Sequence, residues 1–400
     1  MLRTKKAMIS MTKLGIDAIG FYTPGYCLAL SDWALARGKD PNKYNSSWGQ
    51  QAMSVPSVDE DVVSMAMDAS SIALKDIDKD NVALLLFATE TSVDAAKSAG
   101  MFVHNMLQLS PACRVLELKQ ACYAGTGGLM LGLTFLKAHP DKKVLLICSD
   151  IAKYPLGSAG EASGGAGSIA MVLSANPRIL TIEPYSGVYA QDSMDFWRPT
   201  YKQVPLVNSR LSCNLYIKFL LNTFAAYCQK AQRSLNDIDH FCYHLSVPQL
   251  VHSAHKHLYQ KLQGHAISKA VLDKHLKNSM RYGVRVGNIY TGSLYLSLLS
   301  LLDNSDGTAA EKRIGFYSYG SGSIGEFFSG TTVKGYHNVL RKDHNQNVLA
   351  NRVQITVDTY EAWHNYLYPE DGTAVNLPVH KKKGCRLKGL ASHKRIYEKA

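Results

Sequence analysis

No run of apolar residues among the 400 approaches the 18 or more that a membrane-spanning helix needs. The stretch from Met1 to Met11 is short and basic but has no long apolar core, which excludes an ordinary secretory signal. Met11 is therefore expected to be the true start, with the preceding ten residues an extension. The eight cysteines, at 27, 113, 122, 148, 213, 228, 242 and 385, include no C-x-x-C pair, so their spacing gives no zinc site. Several lie in apolar, strand-like runs, as expected of reduced thiols in a cytoplasm. No nucleic-acid-binding motif is present, and the basic residues are dispersed except near the C-terminus.

What is present describes an ordinary folded protein. At 46% hydrophobic and 19% charged residues, the chain can bury one large core or two linked ones. Lys and Arg outnumber Asp and Glu by 44 to 32, giving a net charge of +12 that favours anionic partners. Nucleic acid and a phosphorylated small molecule are the two classes this charge admits.

The pattern is layered α/β. Val82 to Thr89 is a continuous apolar run, expected to be a strand buried on both faces. Helix is expected from Ala95 to Leu109, strand from Arg114 to Gln120, helix from Leu129 to Lys137, and strands at Lys143–Ser149 and Ser168–Ser174. The second half repeats this grammar: strand Phe241–Leu245, helix Pro248–Leu262, a helix ending near Leu302, strand Ile314–Ser318, and a last strand through Phe328. Cys122–Leu129 compares with Asn288–Leu294, and Gly167–Ser174 with Gly322–Ser329, in the same order. That order implies an internal duplication, with halves at 11–176 and 177–400.

The chemistry gathers at the ends of these strands. Cys122 lies between a strand end and a helix start, where the helix dipole is expected to lower a thiol pKa. The glycines after it are expected to leave room for substrate. Two readings stand for this thiol on residues alone: a nucleophile, or a small packing residue. If a pseudo-twofold relates the halves, Glu90 and His244 stand at equivalent strand ends, and Cys122 and Asn288 at equivalent helix starts. Thiol, carboxylate, imidazole and carboxamide would then meet in one crevice at the carboxyl ends of the strands. Such a set can perform acyl transfer.

Six segments carry a resemblance: Thr89–Asp94, Glu117–Tyr123, Ser149–Tyr154, Asp195–Pro199, Val286–Ser293 and Tyr319–Gly322. In that order, from Lys13 onward, the chain resembles the hydroxymethylglutaryl-CoA synthases of the thiolase superfamily, the bacterial members most. The resemblance implies a five-layered αβαβα thiolase-like fold and a cytoplasmic homodimer. It implies condensation of acetyl-CoA with acetoacetyl-CoA for the mevalonate route, without a redox or metal cofactor. By it, Cys122 carries the acetyl group, Glu90 removes a proton from its methyl, and His244 polarises the acetoacetyl carbonyl beside Asn288. Backbone N–H groups near Cys122 and Ser321, in Gly320-Ser321-Gly322, would form an oxyanion hole. Ser163 and Ser212 match positions touching the acyl substrate, and Asp150, Tyr154 and Asp195 a polar shell around it. From Cys385 to Tyr397 the tail resembles a closing strand and helix, while Lys381-Lys382-Lys383 and Arg386 read as a solvated face.

The chain departs from that family in three places. Gln249 and Ser253 stand where lysines usually contact the CoA phosphates, with Lys256 one turn further. Ser246 replaces the usual proline, with Pro248 two positions on, and Ala162-Ser163 replaces a Pro-Thr pair. Two alternatives follow. Relatives in polyketide pathways condense groups held on acyl carrier proteins, and a non-catalytic basic protein would dock nucleic acid.

Overall fold

The computed structural model describes residues 13–399, so the expected start at Met11 lies outside the described residues. Nine strands form one mixed sheet. In chain order they are β1 (Leu14–Tyr22), β2 (Val82–Ala88), β3 (Arg114–Leu118), β4 (Lys143–Ala152), β5 (Gly165–Ala175), β6 (Leu180–Ala190), β7 (His240–Tyr243), β8 (Arg313–Gly320) and β9 (Ile324–Thr332). Their spatial order is β7-β8-β9-β6-β1-β5-β4-β2-β3. Starting from β1, the pairings with β5, β4, β2 and β3 run antiparallel, antiparallel, parallel, parallel. Starting from β6, those with β9, β8 and β7 run antiparallel, antiparallel, parallel. The same winding is therefore used twice, with no counterpart of β3 among the described residues of the second half. Short antiparallel pairing of Gly15 and Ile16 with Thr181 and Leu180 joins the two.

Side-chain alternation assigns the layers. Leu84, Leu86, Val144 and Leu146 from one half-sheet, and Ile314, Phe316 and Phe328 from the other, share a core with helices α3 (Ala124–Ala138) and α6 (Ser293–Asp303). All eleven residues of α6 are buried, as a helix enclosed on every side requires. The opposite face of the first half-sheet, with Leu85, Phe87, Leu145 and Ile147, packs on α1 (Val62–Ala73) and α2 (Ala99–Leu107). That of the second, with Phe241, Tyr243, Tyr317 and Phe327, packs on α4 (Ser209–Ala231) and α5 (Pro248–Gln263). The result is the five-layered arrangement expected. No described helix is long and apolar enough to cross a membrane.

Of the boundaries that differ from expectation, three lie next to the Glu90 and Cys122 segments. Helix α2 starts at Ala99 rather than Ala95, because the Ser98 side chain caps it by accepting from the Gly100 N–H. Strand β3 ends at Leu118. Helix α3 begins at Ala124, within the glycines expected to leave space for substrate. That space is filled by protein: a Cβ on Gly125 would lie 2.6 Å from the Thr291 carbonyl oxygen, and one on Gly128 2.6 Å from Leu146 Cδ1.

The tail corrects two expectations. Its end is a hairpin, Cys385–Ala391 paired antiparallel with Lys394–Lys399, and not a strand and helix. Lys382 and Lys383 are exposed, but Lys381 and Arg386 are buried. Lys381 Nζ lies 3.1 Å from Glu60 and 2.6 Å from Asp68, over the ring of Tyr22. Arg386 pairs with Glu398 at 2.6 Å and approaches Asp59 at 3.7 Å. Acidic partners brought from the 59–68 segment thus turn a solvated run into an anchor. Lys381→Met leaves the buried Glu60 and the half-buried Asp68 without their cation and is expected to cost about 3–5 kcal/mol in denaturant unfolding. A loss under about 1 kcal/mol would contradict the anchor.

Candidate active site

Strand β2 ends at Ala88, and the chain then carries Thr89-Glu90-Thr91 across the end of β4. Asp150, near the end of β4 and fully buried, fixes this turn. Its Oδ1 accepts from the Thr89 hydroxyl at 2.8 Å, the Glu90 N–H at 2.7 Å and the Thr91 hydroxyl at 2.8 Å. Its Oδ2 accepts from the Thr291 hydroxyl at 2.5 Å and the Thr291 N–H at 3.1 Å. One carboxylate therefore ties the Glu90 turn to the helix start of the other half.

Glu90 in turn meets Cys122, whose thiol donates to Glu90 Oε1 at 2.9 Å. Burial, with the Asp150 carboxylate behind it, pushes Glu90 up to about 8, opposed by the thiol hydrogen bond and by Arg198. Burial and the Glu90 carboxylate also raise the Cys122 thiol well above the ordinary cysteine value. This corrects the expectation of a lowered pKa. Desolvation and a carboxylate in contact outweigh the partial charge of the helix end. The resting thiol is protonated, and its proton points at its base.

Above this pair lies a cavity of about 520 Å³ that receives side chains from both halves. Cys122, Tyr154 and Ser163 line it from the first half, and His244, Asn288 and Ser321 from the second. His244 follows β7 directly, held by its backbone N–H to the Tyr317 carbonyl at 2.8 Å and by the Tyr216 hydroxyl on its own carbonyl at 2.9 Å. Its ring is buried, which lowers it to about 4 and keeps it neutral, and Nδ1 has no partner among the described residues. Asn288 Oδ1 accepts from the Tyr290 N–H at 2.9 Å and the Ser293 hydroxyl at 2.8 Å. Its oxygen thus orders the start of α6, and its amide N–H group is left for the cavity. Capping and site roles coincide in one residue.

Helix α4, which the sequence reading did not find, supplies one wall through Ser209, Ser212, Cys213, Tyr216 and Ile217, a single face at helical spacing. Only Ser212 of that face was expected. Three other expected site residues, Asp150, Asp195 and Gly320, stand behind the cavity and not on its lining. Asp150 is enclosed as described. Asp195, also fully buried, accepts from the Tyr319 hydroxyl at 2.9 Å, the Gly322 N–H at 3.0 Å and the Ser323 hydroxyl at 3.1 Å, so it shapes the Ser321 turn from behind. Gly320 is a packing position: a Cβ there would lie 2.6 Å from the Tyr123 N atom, forcing the Ser321 turn off the Cys122 loop.

Comparison with known proteins agrees with this geometry. Residues 11–177 match the family model "Hydroxymethylglutaryl-coenzyme A synthase N terminal", and residues 254–367 match its C-terminal counterpart. The chain belongs to the hydroxymethylglutaryl-CoA synthase family. It is 38% identical to the hydroxymethylglutaryl-CoA synthase of Enterococcus faecalis, covering 87% of this chain and 91% of that one. It is 31% identical to the polyketide biosynthesis 3-hydroxy-3-methylglutaryl-ACP synthase of Bacillus subtilis, covering 88% of each. A crystal structure of an HMG-CoA synthase complexed with CoA superposes with a TM-score of 0.92 at 37% identity, over 97% of this chain and all of that one. Membership in this family of condensing enzymes sets aside the non-catalytic alternative.

Against that family, two of the three departures in the sequence fall on one wall, while Ser163 of the third lines the cavity from the first half. Gln249 and Ser253 of α5, with Ser246 just before it, line the cavity without charge. Lys256 is exposed one turn beyond Ser253 on the same helix.

Proposed function

We propose that this protein condenses acetyl-CoA with acetoacetyl-CoA through an acetyl group carried on Cys122. The observation that carries the reading is the 2.9 Å thiol–carboxylate contact below a cavity whose other wall presents a neutral His244. Cys122 sulfur attacks the acetyl thioester, its proton passes to Glu90, and that proton leaves with the CoA thiol. The acetylated sulfur no longer donates to Glu90. Because that hydrogen bond held Glu90 down, acylation strengthens the carboxylate as a base at the moment it must remove a methyl proton.

The enolate carbon then attacks the ketone of acetoacetyl-CoA, with the His244 ring and the Asn288 amide facing the developing alkoxide. Backbone N–H groups beside Cys122 and Ser321 supply the oxyanion hole, one such donor being worth about 3 kcal/mol. Water releases hydroxymethylglutaryl-CoA from Cys122. This balance moves acyl groups and protons only and calls for no redox or metal group. Residues 11–176 contribute the nucleophile and base, and 177–400 the His244 and Asn288 wall. In this reading the enzyme is a cytoplasmic homodimer serving the mevalonate route.

His244→Ala is expected to leave acetylation of Cys122 nearly intact while lowering condensation about 10²-fold or more. Equal losses in both half-reactions would contradict a role toward the second substrate. A second reading takes the ketoacyl partner from an acyl carrier protein, favoured by the uncharged Gln249 and Ser253. Turnover with acetoacetyl-CoA alone supports the first reading, and turnover only with the carrier-bound group supports the second.

A further inference from the structure

The acyl-bearing sulfur is framed by aromatic rings. Cys122 packs against a cluster of Ala152, Tyr154 and Tyr290, joined by Phe196. The three rings close a triangle, with centroids 6.3 Å apart for Tyr154–Phe196, 6.2 Å for Tyr154–Tyr290 and 5.8 Å for Phe196–Tyr290, every pair meeting edge to face. All three line the cavity beside Cys122.

The walls are unequal. Tyr290 is 3% exposed and sits at φ 42°, its N–H held by Asn288. Tyr154 is 8% exposed, and its carbonyl is bound by the His364 ring at 2.8 Å. Phe196 is only partly buried and comes from a short hairpin, in which Phe196 and Trp197 pair with Val207 and Leu206. Asp195 fastens the base of that hairpin through its carbonyl, which accepts from the Asn208 N–H at 2.8 Å. Arg198, two residues on, donates to the Glu90 carbonyl.

We propose that this aromatic triangle gauges the acyl group that Cys122 accepts, with Phe196 as the residue that sets its length. The inference rests on the reading of Cys122 as acyl carrier. The rings stand beside the sulfur, so an acyl group on Cys122 lies against them and each further carbon presses harder on them. Tyr154 and Tyr290 are pinned, so the added atoms press on Phe196. Close-packed walls resist even one added methylene, and an apolar pocket typically separates neighbours in such a series by about 10–200-fold.

The test is a time course of acyl transfer to Cys122 from acetyl-, propionyl- and butyryl-CoA, read by mass spectrometry of the Cys122 peptide. Phe196→Ala and the milder Phe196→Leu are expected to raise the butyryl-to-acetyl rate ratio by ~10-fold or more over wild type. Phe196→Tyr, which keeps the ring, is expected to retain the wild-type ratio. Because a ratio is read, general loss of activity cancels. An unchanged ratio in both shortened variants would overturn the gauge, as would equal broadening by Phe196→Tyr. Absence of acetyl on wild-type Cys122 is a separate result, and it would overturn the acyl-carrier reading instead.

Discussion

Glu90→Ala is expected to take an acetyl group from acetyl-CoA onto Cys122 and then stop. The carboxylate acts on the thiol in two opposing ways: it accepts the thiol proton at 2.9 Å, and its charge helps raise the thiol pKa. Removing it costs a base but relieves the part of the thiol's rise that the carboxylate causes, burial aside, so acylation persists. The methyl group of the acetyl thioester has no such offset. Loss of the carboxylate beside Cys122 is expected to lower condensation about 10²–10⁴-fold, with exchange of methyl protons into deuterated water falling alongside. Normal condensation in this variant would show that the base lies elsewhere.

The pH dependence follows from the same group with a definite sign. Burial and Asp150 hold Glu90 at about 8, above the ordinary carboxylate range, so most of it is protonated at neutral pH and inactive as a base. Condensation by the wild type should therefore rise with pH up to about 8, and level above the pKa that the acetylated enzyme shows. Because acetylation removes the thiol donor, that plateau should lie no lower than the free-enzyme value. A rate already flat from pH 5 upward would contradict a raised carboxylate.

Cys122→Ala carries the other large effect. Without the sulfur no acyl-enzyme forms, and overall turnover is expected to fall by about 10⁴–10⁶, the scale seen when a covalent nucleophile is removed. Its cavity and binding walls remain, so the variant should still be protected by CoA thioesters against thermal unfolding. Residual turnover near the wild-type rate would exclude covalent catalysis through this residue.

Much of this was legible in the residues because the signals were local. Val82–Ala88 is apolar on both faces, as a central parallel strand must be, and Glu90 ends it abruptly. Cys122 and Asn288 each stand shortly before a helix of the shared central layer, α3 and α6. What stayed hidden depended on partners distant in sequence. Helix α4 turns Ser209, Ser212 and Cys213 toward a cavity, so the apolar stripe that announces a buried helix face is interrupted. Lys381 reads as solvated until Glu60 and Asp68 arrive beside it. The Cys122 pKa was misread for a related reason: the helix start is visible in sequence, whereas a carboxylate in contact with the thiol exists only after folding.

The central claim is an acetyl group on Cys122 that Glu90 converts into a carbon nucleophile. It is tested most directly by mixing the wild-type protein with labelled acetyl-CoA, locating the label, and then adding acetoacetyl-CoA. The account predicts label on the Cys122 peptide that is discharged into hydroxymethylglutaryl-CoA when the second substrate arrives. Label that never appears on Cys122, or that leaves it only as free acetate when acetoacetyl-CoA is added, would contradict it.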